Sequence, residues 1–128
     1  EGAMTPTGID HIVLVVRDID TSLAFYREVL GMTPREERPG KWSLDFGGGK
    51  ISVQKAGKEP KIAANCTPGS ANFCLLTGDD IDAFAQDLRD RGIELLTGPS
   101  VKDGAAGPIN SVHFRDPDGN LVEVGALV

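Results

Sequence analysis

The chain has 128 residues, 40% apolar and 25% charged, with a formal net charge of −6 at pH 7: one domain's worth of ordinary globular composition, able to bury a core without covalent staples. The acidic balance argues against non-specific nucleic-acid and anionic-membrane binding, which need basic patches, and no apolar run approaches the ~20 residues of a membrane span. Two cysteines are too few for a disulfide framework, which points to a reducing, cytoplasmic setting, while Glu1-Gly2-Ala3 ahead of Met4 reads as an expression scar with no signal peptide behind it.

In chain order, Ile9 to Val16 is a short apolar run rich in Val and Ile, as a buried strand requires. Asp18 or Asp20 then offers a helix N-cap. Leu23, Tyr26 and Leu30, flanked by Phe25 and Val29, recur at helical spacing and make one apolar face, with Gly31 placed where a left-handed residue ends a helix. Pro34–Arg38, Trp42–Phe46 and Lys50–Lys55 are strand candidates, punctuated by Pro39-Gly40 and by Gly47-Gly48-Gly49. Trp42, Phe25 and Tyr26 are read as packing residues. The stretch from Lys58 to Ser70, with Pro60, Pro68 and a charge cluster, reads as a linker in which Cys66 is inert.

Asn72–Thr77 starts a second set. Asp80 caps a helix whose apolar face is Ile81, Phe84, Ala85 and Leu88, closed by Gly92. Ile93–Leu96, Ser111–Phe114 and Leu121–Val124 are the following strand candidates. Val101–Asn110, with Gly104, Gly107 and Pro108, is read as a long loop and a candidate functional loop. Asp116-Pro117-Asp118-Gly119 has Asp, Pro and Gly where a type I turn wants them.

The same β-α-β-β-β order therefore runs twice. Gly8-Ile9-Asp10-His11-Ile12-Val13-Leu14 stands against Gly69-Ser70-Ala71-Asn72-Phe73-Cys74-Leu75, an offset of 61 residues at which Asp18 also meets Asp79 and Gly31 meets Gly92. The expected fold class is α+β: one domain over 4–128, built of two tandem modules at about 8–57 and 71–126. A sheet with one helix buries one face and leaves the other open, so two copies can turn their open faces toward each other. The expectation is a cupped mixed sheet with the helices outside and a concave ligand site within.

Four polar residues interrupt apolar strands: His11 and Asn72 on the first strand of each module, Gln54 and Glu123 on the last. A carboxylate in an apolar strand is costly unless paired or metal-bound. His and Glu are good ligands for a borderline divalent ion, and Gln and Asn offer neutral carbonyl oxygens. The residues alone leave two readings open. His11, Gln54 and Glu123 can hold a metal with positions free for water and substrate, or His11 can be a core histidine, Glu123 a solvated edge residue, and Asn72 and Gln54 partners in a metal-free polar core. Ser111 and His113 share a strand face, so His113 is either a general acid or base near neutral pH or a sheet histidine. Cys74 shares a face with Asn72, as a cavity thiol or an apolar filler. Lys102 and Arg115 either attract an anionic substrate or are solvated.

Asp10-His11-Ile12-Val13-Leu14, Ala24-Phe25-Tyr26-Arg27-Glu28-Val29-Leu30-Gly31-Met32 and Phe114-Arg115-Asp116-Pro117-Asp118-Gly119-Asn120-Leu121-Val122-Glu123-Val124 resemble the vicinal oxygen chelate superfamily of glyoxalase I, bleomycin- and fosfomycin-resistance proteins and extradiol dioxygenases. The resemblance spans Gly8 to Gly125. Gln54-Lys55-Ala56-Gly57-Lys58-Glu59 and Thr67-Pro68-Gly69-Ser70 look most like the glyoxalase-domain-containing protein 5 group, whose bacterial members carry virulence-protein or glyoxalase-like names. The resemblance implies paired modules, commonly in a homodimer, and a divalent ion held by the first and last strands of each module. His11 and Glu123 match such ligands. Gln54 falls where close relatives tend to have His and glyoxalase I has Glu, and Asn72 where many members have His.

Three functions follow. The first is a lyase or isomerase in which Ni, Zn, Mn or Fe polarises two vicinal oxygens of a small molecule, for instance an α-keto thiohemiacetal, with Glu123 and His113 catalytic and Asn72, Ser111, His113 and Cys74 lining the substrate. Ring-cleaving dioxygenation is a version of it that wants two His and one carboxylate. The second is a metal-free sequestering protein of the bleomycin-resistance type, its acidic charge suited to a cationic drug. The third is a structural or regulatory domain with a vestigial cup.

Overall fold

The structure, a computed structural model, describes residues 2–58 and 63–128. The expected scar residue Glu1, and residues 59–62 of the expected linker, lie outside the described residues. Two compact units divide the chain, Glu1–Cys66 and Thr67–Val128. The first contains β1 (His11–Val16), α1 (Ile19–Leu30), β2 (Thr33–Arg38), β3 (Lys41–Phe46) and β4 (Gly49–Lys55). The second contains β5 (Asn72–Leu76), α2 (Ile81–Asp90), β6 (Thr97–Gly104), β7 (Gly107–Arg115) and β8 (Leu121–Leu127). The fold class is thus α+β, two tandem β-α-β-β-β modules with one four-stranded mixed sheet each. The strand orders correspond: β1-β4-β3-β2 and β5-β8-β7-β6.

Local chemistry sets the boundaries. Asp18 takes an extended conformation and its carboxylate accepts from Thr21 N–H at 2.9 Å and Thr21 Oγ1 at 2.6 Å, which satisfies an orphan donor at the start of α1. Gly31 closes the helix at φ 65°, donating its N–H to Arg27 O, in the left-handed conformation that glycine adopts without a Cβ penalty. Asp80 caps α2 in the same way through Asp82 N–H. In the first module Leu14, Val16, Leu44, Ile51 and Val53 bury against Leu23 and Tyr26 of α1. In the second, Val112, Phe114, Val122 and Val124 bury against Ile81, Ala85 and Leu88 of α2, and Phe84 meets the Phe114 ring edge-on at 5.9 Å. Each such side chain contributes about 1.5–3 kcal/mol on burial.

Two sequence expectations are corrected. Ile93–Leu96 is irregular, and the strand begins at Thr97. Apolar residues alone do not make a strand there, because the register that pairs with β7 starts at Thr97↔His113. The expected long loop over Val101–Asn110 is instead the β6–β7 hairpin, with Gly104 paired to Gly107 and only Ala105 and Ala106 between them. Gly104, Gly107 and Pro108 lie at the turn end of that hairpin, Gly104 ending β6 and Gly107 and Pro108 starting β7. The turn after β7 follows the reading: Gly119 N–H donates to Asp116 O at 3.0 Å. The Asp116 carboxylate also accepts from Asp118 N–H, Asn120 N–H and Asn120 Nδ2. Asn120 in turn accepts from Ala71 N–H at 2.9 Å, tying the turn to the entry of β5.

Candidate functional site

Side chains alternate across a strand, and directly paired residues share a face. In the second sheet Cys74 pairs with Glu123, Glu123 with His113, and His113 with Thr97. This row crosses all four strands on the face turned away from α2. Two residues along β7 and on the same face, Ser111 stands opposite Gly125. Gly125 is needed there: a Cβ on it would lie 2.9 Å from Ile109 Cδ1 and 3.1 Å from Ser111 Cβ.

Glu123 is the centre of the group. Ser111, itself fully buried, donates from Oγ to Glu123 Oε2 at 2.7 Å, and His113 Nε2 lies 3.2 Å from Glu123 Oε1. With Glu123 ionised, that second contact puts a proton on Nε2, and in the neutral imidazole Nδ1 is then an acceptor. Nδ1 is buried and has no hydrogen-bond partner among the described residues, and the same holds for Ser100 Oγ, on the residue paired with Ser111. Burial first, then the Glu123 charge, pushes the Cys74 thiol up to about 11. Four of the residues singled out in the sequence, Cys74, Ser111, His113 and Glu123, are therefore brought together on one sheet face. Asn72 shares that face, exposed, opposite Leu121. Arg115 instead donates to Gly119 O at 3.2 Å, bracing its own turn, and Lys102 is exposed on β6.

The first sheet presents a different face. His11 is 42% exposed at its side chain, and its Nδ1 lies 2.9 Å from Asp10 Oδ2. A carboxylate on one ring nitrogen fixes the other, Nε2, for a ligand. The rest of the face is an ion-pair network: Lys50 Nζ lies 2.6 Å and Lys41 Nζ 3.3 Å from Glu37, and Arg35 Nε 2.6 Å from Asp45. The lysines hold the Glu37 carboxyl down to about 2, and Arg35 holds Asp45 below the usual carboxylate range.

Gln54 does not mirror Glu123. In β1–β4 the pairs run His11↔Lys50, Val13↔Ser52, Val15↔Gln54, and in β5–β8 they run Asn72↔Leu121, Cys74↔Glu123, Leu76↔Gly125. Matching His11 to Asn72 therefore matches Ser52 to Glu123 and Gln54 to Gly125. Gln54 sits four residues along the ladder from the His11 pair, roughly 13 Å at strand rise. Counting from the strand end misleads because β8 continues to Leu127 while β4 stops at Lys55. Sequence reasoning also passed over Asp10 and Ser52. The period-two alternation of Ile51-Ser52-Val53 was the available signal for Ser52, whose hydroxyl is buried with no hydrogen-bond partner among the described residues.

The donor chemistry does not fit a divalent ion well. A catalytic zinc keeps three His, Cys or carboxylate ligands. The four register-matched positions hold His11, Ser52, Asn72 and Glu123, and the two oxygens of Glu123 already take the Ser111 hydroxyl and His113. Among the described residues no three His, Cys, Asp or Glu side chains are grouped to hold a metal.

Residues 8–124 match the model of the glyoxalase/bleomycin resistance protein/dioxygenase superfamily. The virulence protein STM3117 of Salmonella typhimurium is 42% identical over 122 residues, covering 94% of this chain and 84% of that protein. Its crystal structure superposes with a TM-score of 0.94 at 38% identity, covering 98% of this chain and all of that one. A glyoxalase domain-containing protein, RDO1 of Mycosarcoma maydis, is 38% identical over 92% of this chain and 67% of its own length. A lactoylglutathione lyase from Agrobacterium tumefaciens has a TM-score of 0.74 at 26% identity, with 96% of each chain covered. With the duplicated module and its register already established, the match over residues 8–124 settles the family: this chain belongs to the glyoxalase/bleomycin resistance protein/dioxygenase superfamily.

Proposed function

We propose that this chain is a glyoxalase-like protein that takes a small molecule with vicinal oxygens onto the open face of its second sheet, with Glu123 as the proton-moving group. The observation that carries this is Glu123 itself: a carboxylate 17% exposed at its side chain, with a serine, a histidine and a cysteine around it. A carboxylate held by hydrogen-bond donors keeps its geometry and retains lone pairs for a substrate O–H or an acidic C–H. Ser111 fixes one oxygen and His113 the other, so the carboxylate is oriented before a ligand arrives. The lactoylglutathione lyase relative supports reaction of this class, and Asn72 and Cys74 line the approach to the carboxylate.

A second reading, a lyase or isomerase dependent on Ni, Zn, Mn or Fe, is favoured by one observation, the Asp10–His11 hydrogen bond that leaves Nε2 free. In it His11 and Glu123 are the ligands. A homodimer in a cytoplasmic setting, without nucleic-acid partners, completes both readings. The metal-free, drug-sequestering alternative rests on the acidic charge. A thermal-shift panel separates the three. We expect stabilisation by an α-keto thiohemiacetal, lost in Glu123→Gln and indifferent to added metal. Stabilisation that requires added metal selects the second reading. Stabilisation by a basic glycopeptide alone selects sequestration, and any stabilisation untouched by Glu123→Gln overturns the role given to this carboxylate.

A further inference from the structure

We infer that this chain works without a resident divalent ion, its Glu123 held by Ser111 and His113 in place of a metal. The register carries this. Each module offers two matched positions, one on its first strand and one on its last. His11 and Asn72 form one matched pair, Ser52 and Glu123 the other. Each pair holds one strong ligand and one neutral side chain, so neither module offers more than one strong ligand at these positions. Gln54, the residue that might have made up the shortfall, lies roughly 13 Å along the ladder from the His11 pair.

The two strong ligands are also placed unfavourably for a cation. Glu123 carries two hydrogen bonds that a metal would have to displace, the 2.7 Å bond from Ser111 and the 3.2 Å contact from His113. Charge-assisted bonds of this kind are about twice as strong as neutral ones. His11 has Lys50 opposite it on the ladder, the Lys50 ammonium being engaged with Glu37 at 2.6 Å, and the Ser52 and Asn72 positions hold no anionic side chain. Ser52 stands where a second carboxylate would be needed, its hydroxyl buried and without a hydrogen-bond partner among the described residues. A ligand that suits this arrangement is organic and brings its own donors to Glu123. An ion that needs three anionic or imidazole ligands finds too few.

The test is metal analysis of untagged protein purified without chelator, followed by calorimetric titration with Ni, Zn, Mn and Fe(II). The expected result is metal far below one ion per chain and no saturable binding. Stoichiometric metal that His11→Ala and Glu123→Gln each remove overturns the proposal. Stoichiometric metal that persists in both variants also overturns it, placing a resident ion at other residues. A completed set, Ser52→Glu with Asn72→His, is expected to gain stoichiometric metal if the matched positions are those the register assigns. The parent measurement decides even if the buried Ser52→Glu change impairs folding. Metal content is read without any organic ligand, so failure here is distinguishable from failure of the reading above, on which the identity of the site rests.

Discussion

Ser111 Oγ donates to Glu123 Oε2 at 2.7 Å across the β7–β8 ladder, from a residue with no exposure of its own. The bond joins the buried frame of the second module to the carboxylate on its open face. Removing the hydroxyl leaves a half-buried carboxylate short of a donor. Ser111→Ala is expected to cost about 1.5–3 kcal/mol, the range for hydrogen bonds to charged groups, read by urea denaturation, and to weaken any ligand that Glu123→Gln weakens. Full stability in Ser111→Ala would show that the bond contributes nothing to the fold.

Gly98 stands directly over the backbone of Ser111. Its φ is +96°, and a Cβ there would lie 2.2 Å from Ser111 O and 2.9 Å from Val112 Cα. Both neighbours are backbone atoms, which cannot rotate aside. Gly98→Ala is expected to destabilise by more than the about 1–3 kcal/mol of backbone strain alone, measured as the fall in Tm. Gly48→Ala, where nothing lies within 4 Å and φ is not positive, is the control and is expected to leave Tm unchanged.

The Cys74 thiol, pushed up to about 11 by burial and then by Glu123, is nearly all protonated at pH 8. Only the thiolate reacts with iodoacetamide. In a Cys66→Ser background, Cys74 is expected to alkylate more slowly than a free thiol. Glu123→Gln removes one of the two causes, so the thiolate fraction and the rate both rise. An unchanged rate in Glu123→Gln would separate the two side chains.

Glu37 contributes to the acid dependence of the first module, beside Asp18 and Asp45, whose carboxyls are also held below their ordinary values. Its folded pKa, about 2, lies below the ordinary 4.5 because Lys50 and Lys41 stabilise the carboxylate. A depressed carboxyl contributes stability that is present above its unfolded pKa and lost as pH falls toward the folded one. The contribution therefore declines between about pH 4.5 and pH 2. Glu37→Gln is expected to flatten that limb of the stability–pH curve while leaving the second module's hydrogen bonds intact. The same slope in parent and variant would assign the acid dependence to other carboxylates.

Much of this was legible from local signals. The helices carry their own periodicity and caps, so Asp18, Gly31 and Asp80 declare their ends without help from the rest of the chain. The Asp116 turn is likewise written in four consecutive residues. The β6–β7 hairpin was not legible, because Gly104, Gly107 and Pro108 are loop-like in isolation and become strand ends only once paired with a partner. His11 and Glu123 were found as polar residues in apolar strands, and Ser111 and His113 as neighbours on one face.

The sequence by itself determined the duplicated β-α-β-β-β order, the faces of its helices and, outside the β6–β7 hairpin, the residues on the open side of the inner strands, because these depend on periodicity over short windows. The tertiary structure alone decided which strand residues stand opposite each other. Register is a long-range property, fixed by how β4 lies beside β1 and β8 beside β5, and a shift of two residues keeps every side chain on the same face. That shift is what puts Ser52, and not Gln54, at the position of the first sheet that matches Glu123 in the second.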